Sequence, residues 1–214
     1  MKIFLADMVY NNFFLRFSIS LIILFLYYSI YQDIFYLFTL GCVIYIIIFY
    51  EVYKFFKNLS YLIYFYLIIS FINFSLYLYN YFDIFIFNLL IFIIVTFDTS
   101  SYLIGKAFGR NKIFKKISPN KTLEGYIGGV LSTNAICLII LLLNFSILNI
   151  NHFILINLII IFSIIGDLFQ SFFKRKNLIK DSSNFLPGHG GFFDRFDSFI
   201  SSIMLLNLYN YLYL

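Results

Sequence analysis

Tryptophan is absent from this chain of 214 residues, and cysteine and proline occur only twice each. Cys42 and Cys137 both lie in apolar runs, so the sequence indicates neither a disulfide framework nor a cysteine-based metal site. Charged residues make up only 12% of the chain, whereas 62% of it is hydrophobic. A soluble domain of this length could not bury so much apolar surface, because surface area grows too fast relative to volume. The composition therefore predicts a membrane protein.

Long apolar segments follow one another along the whole chain. A helix needs about 20 apolar residues to cross the hydrocarbon of a bilayer. By this criterion the sequence predicts an all-α, polytopic membrane protein with about seven spans, at Asn12–Tyr31, Ile34–Tyr50, Tyr61–Tyr79, Ile84–Ile104, Tyr126–Ile147, Phe153–Phe173 and Phe196–Leu212. No repeat or linker is found, so we expect a single domain, with membrane helices over residues 1–97 and the functional residues within 98–214.

The basic residues all fall on one side of this predicted topology. They lie near the N-terminus and after the second, fourth and sixth spans: Lys2, Arg16, Lys54, Lys57, Lys106, Arg110, Lys112, Lys115, Lys116, Lys121, Lys174, Arg175, Lys176, Lys180 and Arg195. Positively charged loops remain cytoplasmic. The sequence therefore predicts a cytoplasmic N-terminus and two long cytoplasmic loops. A role in orientation and headgroup contact alone explains Lys2, Lys54 and Lys57, but not the two long loops.

Glycine and proline are concentrated in the same two loops. Nine of the ten glycines and both prolines lie there: Gly105, Gly109, Pro119, Gly125, Gly128 and Gly129 in the first region, and Gly166, Pro187, Gly188, Gly190 and Gly191 in the second. Glycine lets a ligand approach the main chain, and proline fixes a turn. Simple turns between helices would need fewer such residues, so we expect two shaped cytoplasmic loops.

Three predicted helices carry a polar stripe near the cytoplasmic surface. Helical spacing places Asp98 beside Ser101 and Gly105, and Asp167 beside Gln170, Ser171 and Lys174. Asp194, Asp197, Ser198 and Ser201 form the third stripe. A carboxylate inside a membrane costs about 2.5 to 3.5 kcal/mol on insertion scales and normally faces a cavity or a partner. Burial of scattered acids could explain one stripe, but it explains three poorly.

This combination of side chains suits phosphate chemistry. Clustered carboxylates favour Mg²⁺, which takes oxygen ligands and is often shared with substrate phosphates. Lysine and arginine bind phosphate oxygens, and glycine-rich backbone can form an anion site. Together they indicate metal-assisted transfer on a nucleotide or a pyrophosphate, with a lipid as one substrate. His189, between two glycines, fits either an acid–base role or a structural hydrogen bond.

The run SFFKRKNLIKDSSNFLPGHGGFFDRFD, from Ser171 to Asp197, resembles the signature of the phosphatidate cytidylyltransferase (CDP-diacylglycerol synthase) family. Its serine, Lys-Arg, Lys-Asp, His-Gly-Gly and Asp-Arg-x-Asp elements are all in register. The segment from Asp98 to Gly129 is similar to the other conserved block of that family, and GDLFQS is similar to its Gly-Asp-Leu segment. The chain differs from the family at Gln170 (usually Glu), Ser183 (a small residue, often Gly) and Ser101 (usually Ala), and it is shorter in its N-terminal membrane region.

The resemblance implies transfer of CMP from CTP to phosphatidic acid, with Mg²⁺ as cofactor, in a bacterial inner membrane. A second, monovalent cation and a homodimer stay open, and no nucleic acid is expected. The implied metal ligands are Asp167, Asp194, Asp197 and Asp98, expected to converge on one ion. The implied catalytic residues are Lys174, Arg175, Lys180, Asp181, His189 and Arg195, with Asp181 also considered for the metal. The implied substrate-binding residues are Ser118, Lys121, Thr122, Ser171, Gly190 and Gly191.

Two alternatives remain open at this point. One is another CTP-dependent lipid enzyme, such as a polyprenol kinase or a CDP-archaeol-type synthase, because the sequence does not report the acceptor groove. The other is an ion-coupled transporter, which predicts acids at many depths, whereas here they lie toward one surface. The CDP-alcohol phosphotransferases are disfavoured, because their Asp-Gly-x-x-Ala-Arg pattern is absent.

Overall fold

The computed structural model describes residue 21 and residues 25–144, 150–186 and 190–213. In this part of the chain the long elements are all helices: α1 (Ile34–Phe55), α2 (Ser60–Asn80), α3 (Ile84–Phe108), α4 (Leu123–Asn144), α5 (Ile150–Lys176) and α6 (Phe193–Tyr213). Residues 25–30 are also helical. The β pairing among the described residues is limited to two isolated bridges, Lys112 with Thr122 and Leu186 with Gly190. The all-α prediction is confirmed.

Five of these helices are long and apolar enough to cross a membrane: Ile34–Phe55, Ser60–Asn80, Ile84–Phe108, Leu123–Leu142 and Asn151–Lys176. Their length and composition mark the chain as an integral membrane protein. The first predicted span, Asn12–Tyr31, lies mostly outside the described residues. The seventh corresponds to α6, which is not among the five. The count of seven spans and the cytoplasmic orientation of the loops therefore stay predictions.

Several helices extend beyond the apolar runs that predicted them. α1 continues past Tyr50 to Phe55, and α3 continues past Ile104 to Phe108. Each of these extensions carries a lysine in its last turn, Lys54 or Lys106, where a positive charge favours the helix dipole. The length of an apolar run reflects the thickness of the hydrocarbon layer. The helix itself can continue through polar residues beyond that layer until its backbone hydrogen bonding is interrupted. The sequence therefore placed these ends too early.

The chain divides into two compact units that interleave along the sequence. Unit 1 consists of Met1–Ile68 and Phe173–Phe196, and unit 2 consists of Ile69–Phe172 and Asp197–Leu214. The first signature region, Asp98–Gly129, lies within unit 2, and the second, Ser171–Asp197, lies mostly in unit 1. The predicted division between residues 97 and 98 stays a prediction.

The core of unit 1 includes the C-terminal half of α1. Ile48 and Val52 of α1 are fully buried, as is Phe193 at the start of α6. Phe56 meets Phe193 edge to face, with ring centroids 5.8 Å apart. Asn177 fastens the segment after α1, because its Oδ1 accepts the N–H groups of Lys57 and Asn58 at 2.8 and 2.6 Å. These contacts bring the second signature loop against α1.

Unit 2 contains a close crossing of α3 and α4. A Cβ atom added to Gly125 would lie 2.8 Å from the carbonyl oxygen of Ser101, and one added to Gly129 would lie 2.8 Å from the Ser101 Cβ. Small residues at helix interfaces let the backbones approach closely, which is the common basis of helix packing in membranes. Farther along α4, Asn134 and Asn157 exchange amide hydrogen bonds of 3.1 Å with each other. The crossing places the first signature loop at one end of this helix pair.

Candidate functional site

The polar cluster of unit 1 is centred on an ion pair between Lys174 and Asp194. Lys174 Nζ lies 2.7 Å from Asp194 Oδ1, and the two side chains are only 14% and 9% exposed. The other carboxylate oxygen of Asp194 accepts the backbone N–H groups of Ser182 at 2.7 Å and Gly191 at 3.1 Å. The carboxylate at the start of α6 is thus held by one ammonium and two peptide groups.

The pKa of Asp194 reflects a balance of opposing effects. Burial alone would raise the pKa of this carboxyl group, because removal from water disfavours the charged form. The Lys174 ammonium and the N–H groups of Ser182 and Gly191 outweigh burial and hold the pKa of Asp194 below its ordinary value. Asp194 is therefore an anion at neutral pH, which suits a group that binds a cation.

Glu51 of α1 forms the second part of the unit 1 cluster. Its side chain is fully buried. Its carboxyl group accepts hydrogen bonds from Ser183 Oγ at 2.6 Å, Phe192 N–H at 2.8 Å, Phe193 N–H at 2.9 Å and Ser182 Oγ at 3.2 Å. One side chain from the N-terminal part of the sequence therefore accepts four hydrogen bonds from the second signature loop and the start of α6.

Sequence reasoning missed Glu51, although a usable signal was present. The predicted second span ended at Tyr50, so Glu51 was placed just outside the membrane region. An acid next to an apolar run is costly to bury and therefore normally has a partner. That same criterion identified Asp98 and Asp167, and it would have identified Glu51 had the span been extended by one helical turn.

The polar cluster of unit 2 is centred on Lys121 and Asp167. The Lys121 ammonium is paired with the Asp167 carboxylate, and it also lies over the Tyr126 ring, 5.6 Å from the ring centroid. Lys121 further interacts electrostatically with Asp98 of α3. Ser171 Oγ lies 3.5 Å from Asp167 Oδ1, one helical turn away. Predicted residues from α3, α5 and the loop before α4 are thus brought together in this unit.

Thr122 and Ser118 belong to the loop that delivers Lys121. Thr122 is buried, and its Oγ1 accepts the N–H of Gly125 at 3.2 Å, so it caps the start of α4. The Lys121 N–H bonds to the Ser118 carbonyl at 3.3 Å. Glu124 accepts the backbone N–H groups of Arg110 and Asn111 at 3.0 and 3.1 Å. These bonds shape the loop, and the predicted substrate contacts of Ser118 and Thr122 stay predictions.

The remaining predicted residues divide between the units. Of the predicted site residues in unit 1, Arg175, Lys180, Asp181 and Arg195 lie exposed. Gly190 has φ +84°, a conformation that favours glycine, and its carbonyl accepts the Leu186 N–H at 2.9 Å. In unit 2 Asp197 accepts the N–H of Ser198 at 2.7 Å. His189 lies outside the described residues.

The donor chemistry of both clusters fits Mg²⁺. Asp98 and Asp167 in unit 2 and Asp194 in unit 1 offer carboxylate oxygens, the ligands that Mg²⁺ prefers. Asp167 and Asp194 are each balanced by a lysine, so each position already stabilises a carboxylate beside a positive charge. Among the described residues, no group of three or more His, Cys, Asp or Glu side chains is arranged to hold a metal ion. The metal site therefore stays a prediction.

The fold and the two clusters define a class, an integral membrane protein whose described long elements are all helices and which carries two carboxylate–lysine pairs, with Asp167, Lys174 and Asp194 on helices and Lys121 in the loop before α4. Comparison with known proteins then identifies the family. The model of the cytidylyltransferase family matches residues 5–213, and the chain belongs to this family.

Individual relatives carry a more specific name. Phosphatidate cytidylyltransferases of Staphylococcus aureus (strain COL), Staphylococcus haemolyticus (strain JCSC1435) and Staphylococcus saprophyticus are 46%, 45% and 43% identical to this chain over 114 residues. The matched segment is 52% of this chain and 43% of the length of each of these relatives. The resemblance read from the sequence is therefore confirmed at the level of the family.

Proposed function

We propose that this chain is a phosphatidate cytidylyltransferase, which transfers CMP from CTP to phosphatidic acid and releases pyrophosphate. The observation that carries the proposal is the identity of 46% to proteins of that name, within a family match over nearly the whole chain. The carboxylate–lysine pairs of both units support it, because they are the groups that a reaction between two phosphate-bearing substrates requires.

The proposed reaction is an in-line displacement at phosphorus. A phosphate oxygen of the lipid forms a bond to the α-phosphorus of CTP, and the bond from that phosphorus to the bridging oxygen of pyrophosphate breaks. The lipid phosphate is already a nucleophile, so no covalent enzyme intermediate is needed. The task of the protein is to bring two anions together and to stabilise the leaving group. We assign phosphate binding to the basic side chains Lys174, Arg175, Lys180, Arg195 and Lys121.

We further propose Asp167 and Asp194 as magnesium ligands, each supported within its own unit by the lysine that balances it. Asp98 and Asp197 are proposed as additional ligands. Bound Mg²⁺ would offset the negative charge on the pyrophosphate leaving group.

Metal binding can be measured apart from turnover, with Mn²⁺ as a paramagnetic substitute for Mg²⁺. D167N and D194N are expected to weaken Mn²⁺ binding in electron paramagnetic resonance titrations. D33N is the matched control, because it is also an acid-to-amide change. Asp33 lies at the start of α1, where its side chain accepts the Phe35 N–H at 2.9 Å. An unchanged Mn²⁺ affinity in D167N or D194N would remove that residue from the metal site.

The acceptor is tested with purified protein in lipid nanodiscs, supplied with CTP and Mg²⁺. Pyrophosphate release is expected with phosphatidic acid and not with an isoprenyl monophosphate or a polyprenol. Pyrophosphate release with the isoprenyl monophosphate, or CDP release with the polyprenol, in preference to reaction with phosphatidic acid would assign the chain to another CTP-dependent lipid reaction. Failure to consume CTP with any acceptor would refute the proposed function and favour a transport assay.

The proposed topology has seven spans in a bacterial inner membrane, with the N-terminus and both signature loops in the cytoplasm. It is supported by the positions of the basic residues, which the positive-inside rule assigns to one side. With Cys42 and Cys137 replaced by alanine, N80C is expected to react with an impermeant thiol reagent added to intact cells. K115C is expected to react only after the cells are opened. Labelling of K115C in intact cells would show that the first signature loop is extracellular and contradict the proposed topology.

A further inference from the structure

Glu51 of α1 contacts the second signature loop through four hydrogen bonds. Its two carboxyl oxygens divide the four donors evenly. Oε1 accepts Ser183 Oγ and the Phe192 N–H, and Oε2 accepts Ser182 Oγ and the Phe193 N–H. Each oxygen therefore binds one hydroxyl group and one peptide N–H.

The two peptide groups bound by Glu51 immediately precede Asp194. Phe193 is the first residue of α6, and the first N–H groups of a helix have no acceptor within the helix. Glu51 supplies that acceptor from a different helix. It also places an acidic group at the positive end of the α6 dipole. The position of the Asp194 backbone therefore depends directly on the Glu51 carboxyl group.

Ser182 connects Glu51 with Asp194 from the other side. Its backbone N–H donates to Asp194 Oδ2 at 2.7 Å, and its Oγ lies 3.2 Å from Glu51 Oε2 and 3.1 Å from Asp194 Oδ2. The intervening Gly191 has no room for a side chain, because an added Cβ would lie 2.0 Å from Ser182 Oγ and 2.7 Å from both Glu51 oxygens. Residues 182–183 and 191–194 therefore pack closely around one buried acid.

We propose that Glu51 is a positioning residue that fixes the second signature loop, and with it the Lys174–Asp194 pair, in the geometry used for turnover. This inference rests on the proposed function for its catalytic part. Its structural part, that Glu51 orders the start of α6, is measurable without any substrate.

Glutamine is a sharp test of this proposal because it preserves size but not hydrogen bonding. Each Glu51 oxygen faces a backbone N–H, and a peptide N–H cannot reverse its direction. In E51Q one of these positions becomes an NH₂ group, which places a donor opposite a donor whichever way the amide turns. Hydroxyl groups could adapt to the change, but the peptide N–H of Phe192 or Phe193 could not.

The experiment combines hydrogen–deuterium exchange with steady-state kinetics on E51Q and the full chain in nanodiscs. The amide exchange of residues 190–197 is expected to accelerate about 10- to 100-fold, as for the loss of a buried hydrogen bond. kcat is expected to fall by about 10- to 100-fold, while KM for CTP changes much less. D33N, the same acid-to-amide change at the N-cap of α1, is expected to match the wild type in both measurements.

S183A provides a second variant in case E51Q does not fold. It removes one of the four donors and keeps the carboxyl group, so a smaller acceleration confined to residues 182–197 is expected. Unchanged exchange and kcat in E51Q, or in S183A where E51Q is unfolded, would overturn the proposal. Exchange that rises equally throughout α1, α5 and α6 would also overturn it, because Glu51 would then only stabilise the fold. A wild-type chain without CTP-dependent activity would refute the proposed function, and the exchange data would still decide whether Glu51 orders the loop.

Discussion

Lys174 and Asp194 form a nearly buried ion pair in which each charge stabilises the other. Sequence spacing did not predict this pair, because the two residues lie 20 positions apart and on different helices. The sequence did predict that both residues belong to the functional site. The same holds for Lys121 and Asp167, whose pairing depends on how the chain returns through α5.

Removing both members of the Lys174–Asp194 pair should destabilise the protein by less than the sum of the two single removals. K174M leaves the Asp194 carboxylate without its ammonium, and breaking a buried pair in this way costs about 3–5 kcal/mol. K174M/D194L removes both charges and is expected to cost clearly less than the sum of the two single variants. Unfolding in detergent with EDTA, analysed as a double-mutant cycle, measures the coupling. Additive effects of the two substitutions would contradict a direct ion pair.

The depressed pKa of Asp194 predicts a specific pH dependence of stability. The folded protein holds this pKa below the ordinary carboxyl value of about 3.9. The contribution of the Asp194 charge to stability is therefore complete above about pH 4 and is lost as the pH falls through the folded-state pKa. The difference in unfolding free energy between wild type and D194N should be constant near neutrality and shrink in acid. A difference that grows toward acid would contradict the assigned direction.

Glu51 shows where reasoning from single residues stopped short. Its neighbours in sequence give no sign of the four donors that it accepts, because those donors lie more than 130 residues away. The cost of burying an acid was the available signal. The identity of its partners required the fold.

At the scale of helices, hydropathy predicted positions well and ends less well. The described helices α1 to α6 overlap the last six predicted spans, because each apolar run is long enough to be recognised individually. α3 and α5 continue past their predicted ends through Lys106 and Lys174. The extension of α5 carries two of the predicted site residues, Lys174 and Arg175.

The crossing of α3 and α4 should tolerate little added volume at Gly125. In G125A the new Cβ would press on the Ser101 carbonyl and the Gly105 backbone at 2.8 and 3.0 Å. Overpacking of this kind costs about 1–3 kcal/mol, which exceeds the gain of up to about 1 kcal/mol from higher helix propensity. We expect a lower unfolding temperature for G125A.

G105A is the matched control for this crossing. Its added Cβ would meet only the Thr122 side-chain oxygen at 3.0 Å and the Gly125 Cα at 3.5 Å. The gain in helix propensity should then nearly offset the crowding. Equal unfolding temperatures for G125A and the wild type would show that the two helices can separate slightly without loss of stability.

For the whole molecule, the sequence indicated the family because the signature elements keep a fixed spacing that the apolar segments lack. The family match over residues 5–213 confirms this interpretation. The two interleaved units could not be predicted, because each of them combines two segments that lie far apart in the sequence. The same interleaving explains why signature residues from adjacent segments, such as Phe196 and Asp197, are assigned to different units.

The central claim is that Asp194 and its lysine serve the transfer of CMP to phosphatidic acid. The most direct measurement is the initial rate of incorporation of labelled CMP from CTP into lipid, for wild type, D194N and D33N in nanodiscs of the same composition. The account predicts labelled CDP-diacylglycerol and an equal amount of pyrophosphate from wild type and D33N, and no product from D194N with normal helical content. Undiminished product formation by D194N would contradict the account.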